Sequence, residues 1–429
     1  MILGLATMSP QFSDLPSEVI EMVVCLLHCR DICNLRLVSR YMDAASTQAH
    51  YKSFFVSKEV ELGSNAISEC AAILRHSRFA GLLQDLTLTG TEKLQRRDRF
   101  STGDVDTLCM AFRDLYNLYK RSNQYGLRTL TAGLTDSEFA PSGVSSELAS
   151  RSAAGAQAVR TTLHVANDSD IPIESIDLLY HPLACSVPCC IFEAPFGSVK
   201  PSSNWSALRC LSLSLTYHVR TGANPVLNCT DSGVIESLTY DSADAVTRRV
   251  EALVDFFSLL PNIEELDLHW YNNSLLRLIQ PRVISAEIYW LNQVSLAVSF
   301  HKLKTLVLRG LHVTQSCLEK LLTAPSLQQV HLEYIHLTGS FRPILDILIG
   351  GNTAISQFYL DDIYARRLVH FRIRGSPKFP YHGWVPGPST VLRKGEEVRL
   401  PLEYEVAGVN PLVSQEIMDL WERRREMFG

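Results

Sequence analysis

The chain has 429 residues, enough for two or three domains or one elongated one, and 46% of them are hydrophobic, which is enough for a real core. A net charge of −5 gives no support to general nucleic-acid binding, which asks for a basic face. Eleven cysteines, an odd number, are too sparse for a disulfide scaffold. There is no basic leader and no apolar run long enough to cross a bilayer, so the expectation is a reduced, intracellular protein of the cytoplasm and/or nucleus, with no membrane contact.

The stretch 12–42, FSDLPSEVIEMVVCLLHCRDICNLRLVSRYM, organises the start of the chain. Pro16 fits the first turn of a helix, where its missing N–H costs nothing. Glu18 then sits against the positive end of the helix dipole. Val19, Ile20, Val23, Val24 and Leu27 paint one helix face. Asp31 can start a second short helix through Ile32 and Leu35, and Val38-Ser39-Arg40 leads into a third. Three helices in roughly 35 residues cannot bury a sufficient core alone. Such a unit packs on the rest of its chain or lends an apolar face to a partner.

Leu15, Pro16, Glu18, Ile20, Val23, Leu27, Asp31, Leu35, Val38, Ser39 and Arg40 follow one another without a gap in a pattern that resembles an F-box. Met42 departs from it, standing where that family usually has Trp or Phe. The resemblance implies docking on a Skp-type adaptor, and through it on a cullin–RING ubiquitin ligase. It implies that Leu15, Pro16, Ile20, Val23, Leu27, Leu35, Val38 and Met42 form the adaptor-binding set, each either facing the adaptor or stabilising the motif.

Residues 12–50 are expected to be this unit and 51–64 a linker. From 65 to 366 one phrase recurs, apolar-x-x-apolar-x-apolar. It begins at Leu83, Leu127, Ile173, Leu208, Ile263, Leu303, Leu327 and Ile355. The last two steps fall within or near a repeat length of roughly 20–29 residues. Helical patterns precede most phrases, at 65–79, 104–121, 147–165, 243–260, 281–298, 315–322 and 341–349. Strand, turn and helix in succession make right-handed βα units with a parallel sheet. The fold class is therefore α/β: three N-terminal helices, then a βα solenoid. The phrases resemble irregular leucine-rich repeats, so the whole resembles a fungal-type F-box protein with C-terminal repeats of that kind.

Two stretches, 181–204 and 217–242, break the rhythm and read as long loops. After residue 367 the period changes to two. Val369, Phe371 and Ile373 alternate with polar residues, as do Val398, Leu400, Leu402, Tyr404 and Val406, which predicts half-buried strands. Pro401 confines the second run to a sheet edge or a bulge. Between them a Pro/Gly-rich loop carries Phe379, Tyr381 and Trp384, and a last helix is expected over 411–427. Residues 367–429 would cap the open end of the solenoid.

No phosphate loop, nucleophile elbow or zinc-protease motif occurs. Cys25, Cys29 and Cys33, at i, i+4 and i+8, read as buried small hydrophobes, and His181, Cys185, Cys189 and Cys190 as part of a plain loop. No metal, cofactor or catalytic residue is expected. The function implied by the resemblance is a non-catalytic one: substrate recognition for a Skp–cullin–F-box ligase. The alternative is a ligase-independent interaction scaffold. Within each phrase, the residue between the second and third apolar positions should point to the open face of the sheet. Those positions are Thr87, Thr131, Asp177, Ser212, Asp267, Val307, His331 and Tyr359. The larger late side chains make Val307, His331 and Tyr359 the expected substrate-binding residues.

Overall fold

The computed structural model describes residues 15–47, 49–76, 80–90, 102–122, 126–134, 145–178, 187–192, 203–216, 220–221, 238–239, 243–270, 281–375 and 387–406. Four short helices open it: Ser17–Val24, Cys29–Arg36, Arg40–Ser46 and Ala49–Ser53. Pro16 caps the first helix rather than lying inside it, and its carbonyl accepts from the Val19 and Ile20 amides at 3.0 and 3.2 Å. The second helix starts two residues earlier than Asp31, at Cys29. Ser39 caps the third: its hydroxyl accepts from the Met42 amide at 3.1 Å. Ile20, Val24, Ile32, Met42, Ala45 and Tyr51 form a small buried cluster of their own.

The rest is one long sheet with helices on one side. Nine strands run parallel in chain order: Ser57–Glu61, Asp85–Gly90, Leu127–Leu134, Ile173–Leu178, Cys210–Thr216, Glu265–Trp270, Thr305–Arg309, Gln329–Glu333 and Gln357–Asp361. The first of these corrects the expected linker. Ser57–Glu61 pairs with Asp85–Gly90, Ser57 opposite Asp85 and Glu61 opposite Thr89. It has a single fully buried apolar side chain, Val60, because its outer edge has no neighbouring strand to pack on.

All three apolar positions of the eight phrases are buried, and they fuse into one continuous core. The helices fall where the apolar periodicity puts them. Ala243–Ser258 packs Leu253, Phe256 and Phe257 inward, against Trp205 and Trp290. Gly90 marks a close approach, since a Cβ there would lie 2.3 Å from the Ala154 carbonyl oxygen on the helix Ser145–Asp168.

The last repeats share one turn. Gly310, Tyr334 and Asp362 directly follow their strands and have φ of 68°, 55° and 51°. Gly310 donates its amide to Glu333 O, and Tyr334 donates to Asp361 O. Glycine takes this left-handed geometry freely, while Tyr334 and Asp362 are held in it by the repeat. After each turn comes a second short strand: His312–Thr314, His336–Thr338 and Tyr364–Ala365. The rings of His312, His336 and Tyr364 stack along it at 4.4 and 4.9 Å.

The cap differs from its expected form. Arg367–Phe371 is a strand, but Leu368, Val369, His370 and Phe371 are all buried. His370 is sealed because the segment before the closing strand covers it, and its Nδ1 donates to the Gly387 carbonyl at 2.9 Å. Burial holds its pKa below the usual histidine value. Thr390–Lys394 lies antiparallel on Gln357–Asp361 and closes the sheet. Val398 belongs to a 3-10 turn, Gly395–Arg399, rather than to a strand, and only Tyr404–Val406 extends, pairing with Arg367–Phe371. Pro401 sits between these pieces, where its carbonyl accepts from Arg393 at 3.1 Å. The expected helix 411–427 and the aromatics Phe379, Tyr381 and Trp384 lie outside the described residues.

Candidate interaction surfaces

The N-terminal helices sort the expected adaptor-binding residues by burial. Ile20 and Met42 are 0% and 3% exposed, so both belong to the unit's own core. Within that set they fall on the side that stabilises the motif, and Met42 fills an internal hole. Leu15, Leu27 and Leu35 are half-buried against the same cluster, and Val23 is half-buried too. Pro16 and Val38 face solvent.

Other exposed side chains escaped the sequence pattern. Leu26 and Leu37 are each 86% exposed, Val38 73% and Met22 70%. Leu26 follows the first helix, while Leu37 and Val38 follow the second, so the turns carry them. The signal was present as apolar residues off the buried stripe. Large aliphatics left in water in so small a unit mark a contact surface. Arg36 stiffens the second helix beneath them. It pairs with Asp43 at 2.7 Å, donates to the Tyr51 hydroxyl and lies 4.3 Å over that ring.

Cys25 and Cys33 are exposed, not buried, since they stand off the apolar stripe of their helices. Burial and the adjacent Cys33 raise the Cys29 thiol above its ordinary value. Cys189 is buried, while His181 and Cys185 lie outside the described residues. No three His, Cys, Asp or Glu side chains among the described residues group as a metal site requires. None of the described helices is long and apolar enough to cross a membrane.

The second surface is the open side of the sheet. Backbone pairing aligns Glu59, Thr87, Thr131, Asp177, Ser212, Asp267, Val307, His331, Tyr359 and Leu392 in one row across ten strands. The eight positions expected on this face are all half-buried, unlike their fully buried neighbours at the second and third apolar positions. The row grades from polar to apolar. It ends on Val307, His331, Tyr359 and Leu392, the last 50% exposed and outside the sequence expectation.

A polar network flanks that end. His331 and Tyr359 meet edge to face at 4.5 Å. The Tyr359 hydroxyl donates to Asp361 at 3.2 Å, and Thr390 donates to the same carboxylate at 2.7 Å. Arg309 reaches Asp267 at 3.2 Å and Glu333 at 3.5 Å. His331 Nε2 lies 3.4 Å from Glu333. Burial, then the Asp177 and Glu333 carboxylates, push Asp267 up to about 8, although Arg309 beside it pulls the other way.

Comparison with known proteins agrees with the residue-level reading at the N-terminus. Residues 12–42 match the family model described as F-box domain. No curated protein matches the chain. Among solved structures, an internalin of Listeria monocytogenes is similar at 12% identity, covering 80% of this chain and 98% of that one, with a TM-score of 0.16. By its motif, its helices and the family-model match, the chain carries an F-box domain at residues 12–42, followed by a βα solenoid whose strands run parallel in chain order.

Proposed function

We propose that this protein is the substrate-recognition subunit of a Skp–cullin–F-box ubiquitin ligase. Its F-box docks a Skp-type adaptor, and the open face of the repeats holds the substrate. The observation that carries the reading is the exposed apolar set on the first helix of the F-box and on the turns after its first two helices. Met22, Leu26, Leu37 and Val38 stay in water while the residues around them complete a core. Burying one such side chain in a partner is worth ~1.5–3 kcal/mol, so the four together can anchor a stable contact. The repeats then contribute proximity: a target lysine held near the charged conjugating enzyme reacts at a raised effective concentration. Val307, His331 and Tyr359 are the substrate-side residues, and no side chain of this chain is assigned a catalytic role.

The test is co-purification of adaptor and cullin with Leu26→Glu/Leu37→Glu against wild type. Both residues are 86% exposed, so the double variant folds normally and loses the adaptor. Undiminished adaptor recovery would overturn the F-box half of the proposal. Recovery of adaptor without cullin by the wild type would favour a ligase-independent scaffold.

A further inference from the structure

We propose that the outer edge of the first strand, Ser57–Glu61, docks an extended segment of a partner protein in which two Lys or Arg residues flank an aliphatic one. The segment adds a strand to the sheet. This is a third surface, separate from the exposed F-box side chains and from the row that ends beyond Tyr359, and it stands whether or not the ligase reading holds.

Among the described residues, Ser57–Glu61 is paired on one side alone, with Asp85–Gly90. Val56 O accepts from the Asp85 amide, and the Leu62 amide donates to Thr89 O, so these two residues turn their main chain toward that neighbour. Along a strand the main-chain groups alternate sides. The N–H and C=O of Ser57, Glu59 and Glu61 therefore face outward, and all three residues are exposed. Beside this edge, on the helix side of the sheet, lies a cleft of about 280 Å³. Val60, Ala66, Cys70, Ile73, Leu83 and Leu86 line it, and Ile73, on the helix Ser64–His76, is 46% exposed. The cleft lies where the array lacks a preceding strand. Val60 starts a core row that continues through Leu88 and Ala132, and an added strand sets its own side chain next in that row. A docked segment thus finds main-chain partners on the edge and a pocket for an alternate side chain.

The charges on the strand choose the occupant. Glu59 and Glu61 lie two residues apart on the open face, and no cation among the described residues pairs with either. An incoming strand presents residues i and i+2 to this pair and residue i+1 to the cleft. Basic residues at i and i+2 with an aliphatic one at i+1 match both. Lys58 and Glu69 stand at the cleft with opposite signs, so the helix side adds no net charge to the choice. A second copy of this chain fits poorly. Two copies paired antiparallel about a two-fold axis bring residues of the same face opposite each other. Centred on Lys58, the pairing sets Lys58 against Lys58; centred on Glu59, it sets Glu59 against Glu59; centred on Val60, it sets Glu59 against Glu61. The charges that keep the edge from its own kind favour a strand of opposite sign.

The probe is a fluorescein-labelled peptide carrying Lys-Val-Lys-Val-Lys between Gly-Ser ends, titrated with the full chain by fluorescence polarisation. A peptide of the same composition with its lysines and valines in separate blocks controls for plain charge attraction. Glu-Val-Glu-Val-Glu controls for the sign of the charge. The expected result is binding of the first peptide alone. Glu59→Gln/Glu61→Gln, at exposed positions, should weaken it about tenfold, and Ile73→Asp should weaken it through the cleft. N-methylation of the peptide at its lysines and at its valines, in two separate peptides, should give opposite results, because one alternate set of amides meets the edge and the other faces away. Residue-resolved hydrogen exchange should show the Glu59 and Glu61 amides slowed on binding, and those of Lys58 and Val60 unchanged. The changes on the peptide side need no protein variant. Equal binding of the block peptide, or indifference to both N-methylated forms, would overturn strand docking. Equal binding of the Glu-Val peptide would overturn the basic class. A dimer in sedimentation that Ile73→Asp dissolves would assign the edge to a second copy, and absence of binding by the Lys-Val peptide would overturn the proposal outright. None of these outcomes depends on recovery of the adaptor.

Discussion

Met42 separates the two roles a side chain can have in the F-box. It is 3% exposed and belongs to a buried cluster of six residues that is distinct from the core of the sheet. Truncating a buried Met to Ala costs ~2–5 kcal/mol, because the cavity left behind collapses only in part. A core this small rarely supplies more than ~3–5 kcal/mol in total. Met42→Ala should therefore open the N-terminal helices and leave the solenoid folded. Hydrogen exchange followed by mass spectrometry reads this directly. Amides of Ser17–Val24 and Arg40–Ser46 should exchange ~30-fold faster or more, a factor that corresponds to ~2 kcal/mol. Amides of Thr305–Arg309 and Gln329–Glu333 should be unchanged. Val38→Ala, at a side chain 73% exposed, is the control and should alter neither set while still weakening the adaptor. Unchanged protection of both helices in Met42→Ala would refute the inward placement. Loss of protection spread equally over the sheet would refute the separation of the two cores.

Three further outcomes follow from particular contacts. Asp267 is pushed from 3.8 up to about 8, so between those values the folded chain holds a proton that the unfolded chain has lost. Stability should fall as pH rises through that window, and Asp267→Asn should remove this part of the slope in urea titrations at about pH 5 and about pH 8. Arg399 donates to the Thr353 and Ile355 carbonyls at 2.7 and 2.9 Å and also to Gly350 O, fastening the closing turn to the turn after the helix Arg342–Ile349. Arg399→Ala should cost ~1.5–3 kcal/mol and Arg399→Lys nearly as much, since Lys lacks the planar fork; a urea midpoint equal to wild type in both would count against the staple. Gly90→Ala places a Cβ against the Ala154 carbonyl, so it should lower the melting temperature with a cost of ~1–3 kcal/mol as the helix Ser145–Asp168 shifts.

What could be read from the sequence depended on how many neighbours a segment packs against. The eight apolar phrases were legible because each strand is flanked on both sides and places three side chains in the core. The helix 315–322 coincides with its apolar pattern, and Thr314 caps it by accepting from the Cys317 amide at 3.2 Å. Edge strands were not legible. Ser57–Glu61 reads SKEVE and Thr390–Lys394 reads TVLRK, because one side of each is open and charged residues are tolerated there. His370 was misplaced because alternation assumes one wet face, and here Gly387, just before the closing strand, lies over that face. On the F-box the motif named positions that define the fold, and so it drew attention to Ile20 and Met42. The residues that meet water are fixed by what the helices leave uncovered, and only the packed structure showed Leu26 and Leu37 among them.

The junction between the two parts bears on how they would work together. The helix Ala49–Ser53 runs almost directly into the strand Ser57–Glu61. Phe54 and Phe55 pack against the F-box cluster, and Lys58 lies 5.2 Å over the Phe55 ring. The Val56 carbonyl then accepts from the Gln84 and Asp85 amides at 2.8 and 2.9 Å, so the first residues past the helix are already fixed to the next repeat. A flexible linker would dilute a bound segment over a volume that grows with its length. Here the connection is made of packed rings and sheet hydrogen bonds, and every strand from Ser57–Glu61 to Gln357–Asp361 is paired to the next. If the proposed substrate segment sits near His331 and Tyr359, it is held to the F-box through covalent and hydrogen-bonded structure. For a protein whose proposed contribution is proximity, that stiffness is what turns two separate binding events into a defined geometry.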